Sequence, residues 1–254
     1  EHADITRPET LAGKLAGSDI VVNLVSIAYE SGRQKFGPIN IAGAKAIAEE
    51  AHRAGAKSLV HVSALGVEQT KDTKYGSTKF AGEQAVRTAF PNAVILRPSI
   101  IVGPEDRFIQ RFARMALISP IWPLIAGGHT KFQPVLVTDV AEAIFHSAVN
   151  PALANGIYAV AGDQTYTMRE LLQMISSITN RRPCMVSIPG CLASLKGALC
   201  ELLPFAPMIT RDQVKLLRHD NTVPAGAAGL SNLGITATPI ADALPQLLSS
   251  FIKA

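Results

Sequence analysis

The run Asp19 to Ser26, DIVVNLVS, constrains this chain more than any other stretch. It is almost continuously apolar and β-branched and has no polar face. Such a run suits a strand covered on both sides, as in a parallel sheet with helices on each face. Lys57 to Ser63 (KSLVHVS) and Ala93 to Arg97 (AVILR) repeat the pattern, and Phe132 to Val137 (FQPVLV) offers a short fourth strand. Between them Ile39 to Ala54 and Thr78 to Ala89 space their apolar residues with the helical period. Strands alternating with helices over short connections require right-handed crossovers, so the first half is expected to be an α/β sandwich on a parallel sheet.

The second half changes character. Asp139 to Val149 opens on an Asp cap with Glu142 three residues on, and Thr167 to Glu170 and Thr210 to Gln213 are both capping boxes ahead of helical runs. Pro183, Pro189, Pro204, Pro207, Pro224, Pro239 and Pro245 punctuate this region, so its helices must be short. An α/β domain over residues 1–160 and a smaller, mostly helical lobe over 161–254, for partner or membrane-surface contact, are expected.

Composition excludes several classes of function. Hydrophobic residues make up 48% and charged residues 17% of the chain, which rules out disorder. Ile20 to Ile27 and Leu117 to Ala126 are too short to span a bilayer, and the second contains Pro120 and Pro123. The net charge of +4, from 24 Lys and Arg less 20 Asp and Glu, is spread out, so it predicts weak attraction to acidic partners and no nucleic-acid interface. Cys184, Cys191 and Cys200 show no C-x-x-C spacing and are expected to be small buried hydrophobes in a reducing compartment. The six histidines lack metal-site spacing, so no metal is expected, and they are read as surface or satisfied core residues. Glu1 to Pro8 resembles neither a signal nor a transit peptide, so either a targeting segment has been removed or the chain begins partway through a gene product.

The sharpest chemical constellation is Ser63 followed by Tyr75 and Lys79, a Y-x-x-x-K pair twelve residues beyond a strand-ending serine. On a helix Tyr75 and Lys79 stand one turn apart on the same side. A lysine ammonium there would depress the phenol pKa, and Ser63 could hydrogen-bond a carbonyl or hydroxyl, an arrangement suited to proton transfer alongside hydride transfer. The bland alternative is an exposed helix start with Lys79 solvated.

The order of the surrounding motifs weighs against the bland alternative. Asn40 and Gly43 open a helix after Val21 to Val25; His61 to Gly66, Leu96 to Pro104 and Val135 to Ala141 follow. This order resembles the extended and atypical short-chain dehydrogenase/reductases, a family with a Rossmann-type doubly wound parallel sheet and a small C-terminal lobe. The resemblance implies that Ser63, Tyr75 and Lys79 correspond to the catalytic set, that Tyr75 and Lys79 hold the nicotinamide ribose, and that Pro98, Ser99 and Ile100 line the nicotinamide pocket. Asn23, at the end of the first strand, joins them as a cofactor-binding candidate.

A second resemblance runs from about residue 3 to residue 251. Asn23-Leu24-Val25, Tyr29 to Gly32, Ala89-Phe90-Pro91, Gly103 to Phe108, Lys131 to Val135, Thr210 to Val214 and Leu233 to Pro239 are similar to blocks of the short-chain-dehydrogenase-like accessory subunits of respiratory complex I. That family implies a non-catalytic subunit that binds NADP(H), packs among other complex I subunits and lies on the matrix side of the mitochondrial inner membrane, or on the cytoplasmic face of a bacterial inner membrane. A free NADP(H)-dependent reductase or epimerase using Ser63, Tyr75 and Lys79 is the alternative.

One departure matters. No G-x-G-x-x-G or G-x-x-G-x-x-G occurs in the sequence, so the loop that cradles a dinucleotide diphosphate is absent from it. Aligned to the family, Ala3-Asp4-Ile5 falls at the end of a third strand, and two βα units of about 30 residues each would precede it. The strand at Asp19 to Ser26 is then expected to form an open, apolar sheet edge. Two further stretches stay open in meaning. Arg107, Arg111 and Arg114 form a basic stripe beside Phe108, Phe112 and Met115, either a solvated face or a contact with lipid headgroups or a partner subunit. Leu192 to Phe205 is either core or an interfacial helix.

Overall fold

The β-branched runs at Ile20, Ser58 and Val94 become strands of one parallel sheet, as their patterning predicts. The structure is a computed structural model that describes residues 2–201 and 210–252, and side chains outside 196–209. In chain order the elements are β1 (Ile20–Asn23), a π-helical segment Gly37–Gly43 continuing into α1 (Ala44–Arg53), β2 (Ser58–Val62), α2 (Lys74–Ala89), β3 (Val94–Pro98), β4 (Ile101–Val102), α3 (Ile109–Ile118) and β5 (Ile121–Ile125). They continue with β6 (Lys131–Phe132), β7 (Val135–Leu136), α4 (Val137–Val149), β8 (Ile157–Val160), β9 (Tyr166–Thr167), α5 (Met168–Ile178), β10 (Cys184–Ile188), α6 (Gly190–Glu201), α7 (Arg211–Leu216) and α8 (Ile240–Leu247).

The chain divides into two compact units, each assembled from three stretches. The first comprises residues Glu1–Pro98, Ala141–Val160 and Pro224–Thr236. Its sheet has the order β1-β2-β3-β8, all neighbours parallel. Val21, Leu59 and Ile95 point to one face and pack under Ala44, Ala48 and Ala51 of α1 and Val86 of α2. The alanines let α1 sit close to the strands, and burying this cluster at about 25 cal/mol per Å² holds the layer together. The fourth strand is β8, not the Phe132 to Val137 run. There Pro134, which has no N–H to give a ladder, separates β6 from β7, and each two-residue strand pairs elsewhere.

β1 stands at the edge of the sheet, as the sequence leads one to expect, but the expectation that its run is covered on both faces is not met among the described residues. Val21 and Asn23 are buried, whereas Ile20 is 42% and Val22 39% exposed. The latter two side chains alternate with Val21, which packs under α1, and so stand on the other face.

The second unit comprises Ser99–Val140, Ala161–Val223 and Ala237–Ala254. Its core gathers Ile109 and Ala113 of α3, Trp122 and Leu124 of β5, Leu171 and Ile175 of α5, and Ile240 and Leu244 of α8. The two capping boxes form as the sequence predicts, at Thr167 and Thr210. Asp139 does not cap α4, which begins two residues earlier. Its carboxylate instead accepts from the backbone N–H and hydroxyl of Thr238, at 2.7 and 3.0 Å. No helix among the described residues is long and apolar enough to cross a membrane.

Candidate functional site

α2 carries the two residues with the most specific spacing, and its start explains their placement. The helix begins at Lys74, four residues before the Thr78 suggested by periodicity, because Thr73 caps it: the Thr73 hydroxyl accepts from the Gly76 N–H at 2.9 Å and donates to the Thr70 carbonyl at 2.7 Å. Tyr75 and Lys79 therefore lie in the first two turns. Gly82 lets the helix press against the segment before α1, since a Cβ there would stand 2.1 Å from the Asn40 carbonyl oxygen. The buried Asn40 side chain donates to Thr78 Oγ1 at 3.3 Å across the same seam.

Lys79 is 2% exposed, so the solvated alternative does not hold. Its Nζ donates to the carbonyl of Val62 at 2.9 Å, which places the ammonium beside Ser63 at the C-terminal end of β2. Burial lowers its pKa to about 8, opposed by the carboxylate of Glu83 one turn on. Glu83 is itself fully buried and is gripped by Arg97 of β3 through Nε at 3.0 Å and Nη2 at 2.7 Å. This fork-to-carboxylate pair ties α2 to the sheet, and losing either partner of such a buried pair typically costs about 3 to 5 kcal/mol.

Tyr75 stands edge-on to Phe36, ring centroids 6.1 Å apart. Part of its ring remains accessible, but its hydroxyl end is enclosed, and burial pushes the phenol up to about 12. The sequence suggests the opposite, a phenol depressed by the lysine. The cause of the rise is desolvation, which penalises the charged phenolate.

Asn23 and Ser63 are both buried in the same unit. The Asn23 amide meets His61 Nδ1 at 3.0 Å, and the Ser63 hydroxyl has no hydrogen-bond partner. His61, read from the sequence as surface or satisfied core, is 1% exposed with Nε2 unpartnered. Nothing local in the sequence signals this, since it depends on how β1 and β2 pair. Pro98 ends β3, where its carbonyl accepts from the Leu65 N–H at 2.8 Å. Ser99 and Ile100 belong to the second unit: the Ser99 hydroxyl donates to Asn221 Oδ1 at 2.6 Å, and Ile100 packs against the core. The first unit thus brings Asn23, Ser63, Tyr75 and Lys79 to the carboxyl end of its strands, where open α/β sheets bind ligands. A cavity of about 430 Å³, lined by Asp19, Ile20, Lys57, Ser58 and Val94 among others, lies at the opposite end of the strands and adjoins none of these groups.

Other expectations sort plainly. Cys184 and Cys191 are exposed free thiols rather than buried hydrophobes, because they lie on an outward face of β10 and at the start of α6. Cys200 and the end of the Leu192 to Phe205 stretch lie outside the residues whose side chains are described; Leu192 and Leu195 are exposed. Arg107, Arg111 and Arg114 are exposed, while Phe108, Phe112 and Met115 pack inward. No three His, Cys, Asp or Glu side chains gather as a metal site among the described residues.

Residues 1–190 match the family model described as the RmlD substrate binding domain. The chain is 33% identical over 224 residues to NADH dehydrogenase (ubiquinone) 1 alpha subcomplex subunit 9, mitochondrial, of Mus musculus, covering 88% of this chain and 59% of the mouse protein. It therefore spans less than two thirds of that relative. The protein of the same description from Dictyostelium discoideum is 30% identical over 249 residues, which are 96% of this chain and 68% of that one. Among solved structures, MoeE5 in complex with UDP-glucose and NAD superposes with a TM-score of 0.75 at 18% identity, covering 98% of this chain and 84% of MoeE5. That likeness agrees with the expected short-chain-dehydrogenase fold.

Proposed function

Because the chain belongs to the RmlD substrate binding domain family and to that of the alpha subcomplex subunit 9 of mitochondrial NADH dehydrogenase, we propose that it serves as a non-catalytic accessory subunit of respiratory complex I. The observation that carries the reading is the match over nearly the whole chain to the Dictyostelium discoideum subunit, and the enclosed Tyr75 hydroxyl supports its non-catalytic part. A general acid works best with a pKa near the working pH. A phenol raised to about 12 by burial suits hydrogen bonding to a ribose better than proton donation near neutral pH.

The residues present fit the nicotinamide and ribose side of a dinucleotide: the orphaned Ser63 hydroxyl, the Tyr75 phenol and the Lys79 ammonium are donors at the carboxyl end of the strands. Pro98, at the end of β3 in the same unit, is a further proposed NADP(H) contact, and Asn23 lies at the same strand ends. Bound there, the cofactor would supply a hydride carrier that this subunit leaves idle. The subunit sits on the matrix face of the mitochondrial inner membrane, and the exposed Arg107, Arg111 and Arg114 stripe meets neighbouring subunits or anionic lipid headgroups.

Sedimentation of a detergent extract of the native membranes tests the assembly. The chain should travel in heavy fractions with many other subunits; a single peak at the mass of the free subunit would defeat the reading. In the assembled complex Tyr75→Phe should leave quinone reduction nearly unchanged, whereas Lys79→Ala should impair assembly or cofactor retention. A fall of several powers of ten in NADPH oxidation against a carbonyl panel for Tyr75→Phe, with assembly intact, would install a reductase or epimerase instead.

A further inference from the structure

Residues two apart on a strand point the same way, so His61 and Ser63 at the end of β2 share one face of the sheet. They are 1% and 5% exposed. Asn23 lies opposite His61 in the pairing of β1 with β2, and it fixes which ring nitrogen carries the proton. Asn23 Oδ1 accepts from the Val25 N–H at 3.1 Å, so the nitrogen end of the same amide faces His61 Nδ1 at 3.0 Å. An amide nitrogen only donates; Nδ1 is therefore the acceptor and Nε2 bears the hydrogen.

Burial and the nearby Lys79 charge push the imidazole down to about 3, so this neutral form persists at every pH near neutrality. The Nε2–H is then a fixed interior donor, and neither it nor the Ser63 hydroxyl has a partner. Leaving one buried donor unmade destabilises a fold, and two along one strand face offer a place for an acceptor oxygen. The Lys79 ammonium, bonded to the carbonyl of Val62 between them, brings a third donor to the same strand end and favours an electron-rich oxygen.

We propose that His61 Nε2–H and Ser63 Oγ–H together bind one acceptor oxygen of the ligand, a carboxamide, carbonyl or hydroxyl oxygen, and that Asn23 is the positioning residue that sets the His61 tautomer. The inference rests on the dinucleotide reading above and assigns the oxygen to the nicotinamide–ribose half. Asn23, taken from the sequence as a cofactor contact, then acts through His61.

The test is NMR of the uniformly 15N-labelled full chain, using millimolar nicotinamide mononucleotide as the probe. The free protein should show His61 with its proton on Nε2, and the probe should shift that nitrogen and the Ser63 amide together. Asn23→Asp, which offers Nδ1 an acceptor, should move the proton to Nδ1 and weaken the probe about tenfold; His61→Phe should weaken it equally. A proton on Nδ1 in the free native chain would overturn the inference without any ligand or variant. Shifts at Tyr75 and Lys79 with none at His61 would overturn it while leaving the ribose clamp standing. No shift anywhere at saturating probe would remove both.

Discussion

Burial holds Lys79 at about 8 instead of its ordinary 10.5, and the consequence for stability has a definite sign. Between about pH 8 and 10.5 the unfolded chain keeps a proton that the folded chain has released, so stability rises with pH across that window. Below it the cost of a buried ammonium is fully present. At about 1.4 kcal/mol per pH unit the rise is about 3 kcal/mol. Urea unfolding at the two ends of the window should show this gain in the native chain, and its loss in Lys79→Met would identify the source. The spacing of Tyr75 and Lys79 was legible in the sequence because one helical turn is a local property. The phenol's upward displacement was not, since it comes from enclosure by residues such as Phe36, thirty-nine positions away. The His61 proton is equally nonlocal, being set by an amide on the neighbouring strand.

At the level of elements, the seam between α2 and the segment before α1 has no room. Gly82→Ala would drive a methyl to within 2.1 Å of the Asn40 carbonyl, a backbone atom that cannot step aside. Overpacking of this kind costs about 1 to 3 kcal/mol, and it should also tilt α2 enough to disturb Lys79, which thermal unfolding alongside the Lys79 titration would detect. Thr73→Ala, by contrast, removes the cap and the bond to the Thr70 carbonyl and should cost about 1 to 2 kcal/mol with the Lys79 titration intact. Three of the four sheet strands were readable from β-branched runs. β8 escaped because its four residues, Ile157–Val160, follow a turn and offer too few positions for a period to show. The Phe132 to Val137 run misled for a complementary reason: its composition suits a strand, but Pro134 withholds the N–H that continuity needs. The capping boxes at Thr167 and Thr210 were exact in position since side chain and backbone partner lie within one turn.

For the whole molecule, the uncovered face of β1 yields a further measurement. With Val22 39% exposed, Val22→Lys should change the stability of the isolated chain by no more than about 0.5 kcal/mol and raise its solubility, as charges on edge strands do. A loss above about 2 kcal/mol would show that this face is covered in the free chain. The threading of the first unit has a consequence in time. Ala159 of β8 donates its N–H to the Ala228 carbonyl at 2.8 Å, and His146 Nδ1 meets the Leu233 carbonyl at 3.0 Å. During synthesis these partners emerge long after the strand β8 and the helix α4 that they secure, and at about 5 to 20 residues per second the wait lasts several seconds. Through that interval the nascent sheet holds β8 without its last clasp, a natural moment for a chaperone to bind and for a synonymous change in translation speed to alter yield without altering a single residue.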